Sequence, residues 1–154
     1  MAGQKVLLAY NFTPYDQKSL DFVARTFLGR GDVEITLFNA YTPVPHLDTK
    51  DTQVVDRMKG NIHYLYQKID EQREVLRAAV ESLVERGFQP HQVRSVFRPR
   101  KKDIATEIIE YAREERYAVV IVNRKPGRVT RFFTGNVFSK VVSGLQDTVI
   151  CVVS

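Results

Sequence analysis

The sequence predicts an α/β fold: a doubly wound, mostly parallel five-stranded sheet with helices on both faces, in one domain over residues 1–154. Three observations predict it. Short apolar or β-branched runs alternate with stretches of helical periodicity along the chain. The first run, "KVLLAY" (5–10), is almost continuously apolar, as a strand covered on both faces requires. The composition, 44% hydrophobic and 27% charged in 154 residues, suits one globular domain with a full core.

The elements follow in order. After the first strand, Thr13 can cap a helix, with Pro14 as first helical residue and Asp16 as capping-box acid. Leu20, Phe22, Val23, Phe27 and Leu28 recur at helical spacing, and Gly29 or Gly31 ends the helix. "DVEITLFNAY" (32–41) alternates and is rich in β-branched residues, so it reads as the second strand. Residues 42–60 form a long polar connection with room for a short helix. From Ile62 a helix presents Leu65, Ile69, Leu76, Val80 and Leu83 on one face and stops at Gly87. "QVRSVF" (92–97) is the third strand, and Asp103 can cap the helix after it. "AVVIVN" (118–123), "NVFSKVVSGL" (136–145) and "TVICVV" (148–153) complete the pattern as strand, helix and strand.

In open sheets of this kind ligands bind beyond the carboxyl ends of the strands. That directs attention to the loops after Tyr10, Tyr41, Phe97 and Val122. The last two carry the basic clusters Arg98, Arg100, Lys101, Lys102 and Arg124, Lys125, Arg128, Arg131. Solvated loop charge accounts for any one of these residues, but two clusters at one end of a sheet suit an anion. The net charge of +5 and pI near 9.4 agree with an anionic ligand or nucleic acid without choosing between them. Gly135-Asn136, just before the last helix, supplies an N-cap and a helix terminus that can face phosphate. Pro126, in the same loop, removes a backbone donor.

Other chemistry finds less support. His46, His63 and His91 lack metal-ligand spacing, so no metal site is expected. No G-x-S-x-G and no Walker-type Gly-Lys-Ser/Thr occurs, and no side chain is nominated as catalytic. Cys151, the single cysteine, reads as a small buried hydrophobe in the last strand. The absence of an internal disulfide, of a signal-peptide pattern and of an apolar run near the roughly 20 residues of a membrane span leads us to expect a cytoplasmic protein. Tyr64, Tyr66 and His63, with Arg57 and Lys59 upstream, mix aromatic and basic character. That mixture suits single-stranded nucleic acid, but more often marks half-buried aromatics beside surface charge.

Taken together, the motifs resemble those of the universal stress protein family over nearly the whole chain. "KVLLAYNFTPYDQKSL" is similar to that family's opening strand and turn, K-I-L-V-x-V-D-G-S-x-x-S. "DVEITLFNAYTPVP" resembles its second strand, and "DIATEIIEYAREERYAVVIV" its D-P-A-x-x-I helix and fourth strand. "GNVFSKVVSGLQDTVICVV" resembles its closing helix and strand. The family's ATP-binding branch carries G-x2-G-x9-G-[ST], of which Gly135-Asn136 matches the end. The earlier glycines fall on Val122 and Lys125, or on Asn123 and Pro126 with a loop one residue shorter. Asn11 stands where the family has its aspartate, and Phe12 and Lys102 stand where it has glycines.

The resemblance implies a regulatory, stress-response binding module rather than an efficient enzyme. It implies a homodimer through the last strand, Val149, Ile150, Cys151, Val152 and Val153, whose low charge invites edge pairing. Three ligand readings stay open. In the first, the module does not hold ATP in the family's usual way and acts through a protein partner. In the second, ATP with Mg²⁺ or another adenine nucleotide is bound, with slow hydrolysis at most, by Asn11, Thr13, Tyr41, Lys102, Arg124, Lys125, Arg128, Gly135 and Asn136, basic side chains replacing the lost glycines. The third is a basic nucleic-acid binder.

Overall fold

The computed structural model describes residues 3–46, 52–124 and 137–154. Five strands, β1 (Gln4–Ala9), β2 (Val33–Tyr41), β3 (Val93–Pro99), β4 (Val119–Asn123) and β5 (Val149–Val153), form one sheet in the order β3-β2-β1-β4-β5. Every neighbouring pair is parallel, with Val6 opposite both Ile35 and Val119. Four helices connect them: α1 (Tyr15–Phe27), α2 (Thr52–Glu85), α3 (Ile104–Glu114) and α4 (Val137–Gly144).

β1 lies at the centre, and its apolar run is used on both faces. Val6 and Leu8 join Leu20, Val23 and Phe27 of α1 and Leu76 and Leu83 of α2 in one core. Leu7 and Ala9 face the other way, toward Ile108 and Ile109 of α3 and Val141 of α4. Val6, Leu7 and Leu8 have no exposed surface. Each contributes about 1.5–3 kcal/mol by leaving water. A short 3₁₀ turn, Pro90–Gln92, leads into β3. No described helix is long and apolar enough to cross a membrane.

The helix ends match the expectations unevenly. Asp103 caps α3 as expected, accepting the Thr106 N–H at 3.0 Å. This hydrogen bonding and Lys140 at 3.0 Å hold its carboxyl well below the usual range. At α1 the cap is displaced. Pro14 is the N-cap, without a side-chain bond, and the helix starts at Tyr15. Asp16 still reaches back to the Thr13 N–H at 2.7 Å, the acid's half of the expected capping box. Gly29, at φ +87°, takes the left-handed turn after α1.

Two expectations need correction. α2 begins at Thr52, ten residues before Ile62, so the last nine residues of the long connection, 52–60, are already helix. Gly60 lies inside that helix, and a Cβ there would meet nothing within 4 Å. Of the expected apolar face, Leu76 and Leu83 are buried, whereas Leu65 stays 36% exposed because it lies on the half of α2 beyond the core. Cys151 is half-buried rather than buried, because β5 is the last strand of the sheet. Partial burial nevertheless raises its thiol pKa.

Candidate functional site

The carboxyl ends of β1 and β4 meet the start of α1 in a polar clasp. After β1 the chain passes Tyr10 and Asn11 and turns at Phe12, which adopts φ +60°. That left-handed conformation costs a non-glycine residue about 1–2 kcal/mol. The turn aims two backbone N–H groups at one buried carboxylate. Asp16, only 1% exposed, accepts from the Asn11 N–H at 3.0 Å and the Thr13 N–H at 2.7 Å. Its Oδ1 also accepts from Asn123 Nδ2 at 2.8 Å, and Asn11 Nδ2 donates to Asn123 Oδ1 at 3.0 Å. A buried carboxylate needs such partners, and here all of them are neutral dipoles.

Beside the clasp runs a row of rings. Tyr10 meets Phe12 edge-on at 5.2 Å, Phe12 meets Phe97 at 6.2 Å, and Phe97 meets Tyr41 at 4.4 Å. The Arg73 guanidinium of α2 lies 5.4 Å from the Phe97 ring. Burial, then the nearby Asp16 charge, raises the Tyr10 pKa. Asn39 of β2 donates to the Tyr10 carbonyl at 2.8 Å. An open cleft of about 400 Å³ lies between this turn and α2, with Tyr10, Phe12 and Thr13 on one side and Lys68, Glu71 and Val75 on the other.

The basic residues of the β3–α3 loop are engaged locally. Glu107, 6% exposed, accepts the N–H groups of Lys101 at 2.7 Å and Lys102 at 3.0 Å, and Arg98 at 3.5 Å. Burial acts to raise the Glu107 pKa, but these donors outweigh it and hold it below the ordinary value. The Lys102 ammonium pairs with Glu110 at 2.6 Å, which raises its pKa, and so follows α3. Arg124 lies 5.5 Å from the Phe138 ring, while its N–H donates to the Val153 carbonyl.

Of the residues expected at a nucleotide, Asn11, Thr13, Tyr41 and Arg124 stand at the same end of the sheet. Lys102 is there too, but paired along α3. Lys125, Arg128, Gly135 and Asn136 lie outside the described residues. Sequence reasoning missed Asn123 as the hub of the clasp and Phe97 as the centre of the ring row. A polar residue ending the apolar run "VVIVN" was the available signal for Asn123. Among the described residues no cluster of His, Cys, Asp and Glu has the arrangement of a metal site.

The model of the universal stress protein family matches residues 3–152. No curated protein matches the chain by sequence. Among solved structures, the chain is similar to the universal stress protein of Archaeoglobus fulgidus in complex with dAMP, at 16% identity and TM-score 0.62, with 100% of each chain covered. It is similar to a universal stress protein in complex with cAMP, at 15% identity and TM-score 0.62, covering 100% of this chain and 98% of that one. The protein UspA of Lactobacillus plantarum is similar at 10% identity and TM-score 0.66, covering 100% and 99%. Likeness at these identities carries the fold, while the family match extends over nearly every residue: the chain belongs to the universal stress protein family.

Proposed function

We propose that this universal stress protein is a single-domain, cytoplasmic regulatory module that acts by binding rather than catalysis and does not hold ATP in the manner of the glycine-rich branch. The clasp carries this reading. Backbone N–H groups at the β1–α1 turn already serve the Asp16 carboxylate, so they are not free donors for a phosphate. Phe12 adds a ring where close approach of a ligand to the backbone would need glycine.

A second reading keeps an adenine nucleotide. Relatives of the same fold were solved with dAMP and cAMP. Tyr41 and Arg124 offer this chain a ring and a cation beside the strand ends. A thermal-shift titration with ATP and Mg²⁺, AMP and inorganic triphosphate separates the readings. A ligand at 100 times its Kd adds about 2.7 kcal/mol of stability, several degrees for a domain of this size. We expect no adenine-dependent shift. A salt-resistant shift with both AMP and ATP would overturn the first reading in favour of the second.

The module is a homodimer through β5 in this proposal. Supporting it, β5 is an edge strand, with Val149 59% and Val152 40% exposed. Cys151→Lys should yield monomer on sedimentation. A folded dimer of that variant would sink the strand-pairing interface.

A further inference from the structure

α2 is far longer than its core needs. Its 34 residues span about 51 Å at 1.5 Å per residue. The buried apolar residues it supplies, Leu76, Ala79 and Leu83, all lie in its C-terminal part. Those three fall on alternating a and d positions of a heptad repeat. Carried backward in the same phase, the repeat falls on Gln72 and then on Ile69, Leu65, Ile62, Met58 and Val55. The outer half of α2 therefore carries five consecutive apolar a and d positions, half-buried or exposed, in line with the buried stripe.

The charges beside this seam are sorted. The e and g positions along it are Lys59, Tyr66 and Arg73 on one side and Asn61, Lys68 and Val75 on the other, with no acid among them. The acids of this stretch, Asp56, Asp70, Glu71 and Glu74, occupy b, c and f positions on the outer faces. Lys59 meets Asp56 at 3.5 Å, with side chains 70% and 72% exposed, a weak and screened pair that leaves the lysine available. Arg73 is more occupied, by Asp70 at 2.7 Å and the Phe97 ring. Flanking charge selects the partner of a heptad seam. A second copy of α2 would set cation against cation or neutral residue in either orientation. A helix with glutamates at its flanks would pair with Lys59, Lys68 and Arg73.

We propose that the outer half of α2 docks an acidic amphipathic helix of another protein, whose apolar a and d residues cover Val55 to Ile69 and whose acidic flanks meet the basic edges. The seam does not depend on whether the cleft holds a nucleotide, although Lys68 borders both. Aromatic Tyr66, 57% exposed at an e position, borders the seam and extends the contact area.

The test uses the full chain and a labelled synthetic helix of about three heptads, with Leu at a and d and Glu at e and g. A control peptide has Lys at e and g. Fluorescence anisotropy should show the acidic peptide binding about tenfold or more tighter than the basic one, with affinity falling as salt rises. Leu65→Asp, at an exposed position, should weaken binding about tenfold or more. Lys59→Glu with Lys68→Glu, which leaves the apolar seam intact, should reverse the preference between the peptides. Equal affinity for both peptides, or indifference to Leu65→Asp, would overturn the proposal. Displacement of the peptide by oligothymidylate at equal concentration would instead make the seam a nucleic-acid surface. A drop in sedimenting mass on Leu65→Asp would make the occupant a second copy, and either result also overturns it.

Discussion

The β1–α1 and β3–α3 turns solve one problem with different chemistry. In each, a carboxylate in the first turns of the following helix reaches back to two backbone N–H groups of the preceding loop. Asp16 does so for Asn11 and Thr13, and Glu107 for Lys101 and Lys102. Both are nearly buried, at 1% and 6% exposure. The third partner differs. Asp16 has the neutral amide of Asn123, whereas Glu107 has the Arg98 guanidinium. A charge balanced only by dipoles depends on each of them, while a charge with a cation nearby is less demanding. Asp16 is also the carboxylate that reaches a second strand, because Asn123 belongs to β4, whereas Arg98 belongs to β3, the strand that its own turn follows.

The sharpest way to break this pairing is Asp16→Ala. It strands two N–H groups and the Asn123 amide, and should cost about 3–4 kcal/mol by chemical denaturation. Glu107→Gln keeps one acceptor oxygen and should cost less, about 1–2 kcal/mol at neutral pH. A greater loss at Glu107 than at Asp16 would show that the cation, not the strand linkage, sets the ranking. The pH dependence sharpens the contrast further. Because the folded Glu107 pKa lies below its ordinary 4.5, its contribution is present above that value and is lost as pH falls through the folded pKa. The gap between wild type and Glu107→Gln should therefore narrow as pH drops below about 4.5. A gap unchanged down to the acid limit would contradict the assigned shift.

The same contrast explains what could be read from the sequence. Helix α3 was legible because Asp103 and its partner Thr106 are three residues apart, and local chemistry states the cap in full. β1 was legible because a strand buried on both faces has no polar phase to confuse it. The clasp was not legible. Asp16 and Asn123 are 107 residues apart, and nothing in either neighbourhood points to the other. The start of α2 was hidden for another reason. Gly60 interrupts a polar stretch that adds nothing to the buried core, so both punctuation and hydrophobicity pointed to a loop. Lys102 fitted a phosphate site by position, yet Glu110 beside it on α3 takes its charge first.

One rod belongs to two places at once. The helix that carries the heptad seam also forms, through Lys68, Glu71 and Val75, one wall of the cleft beside Phe12. Leu76, Ala79 and Leu83 anchor it on the sheet. The outer arm runs from Thr52 to Val75, about 36 Å at 1.5 Å per residue. The apolar seam and the wall of the cleft are thus two sides of a single support, and Lys68 borders both.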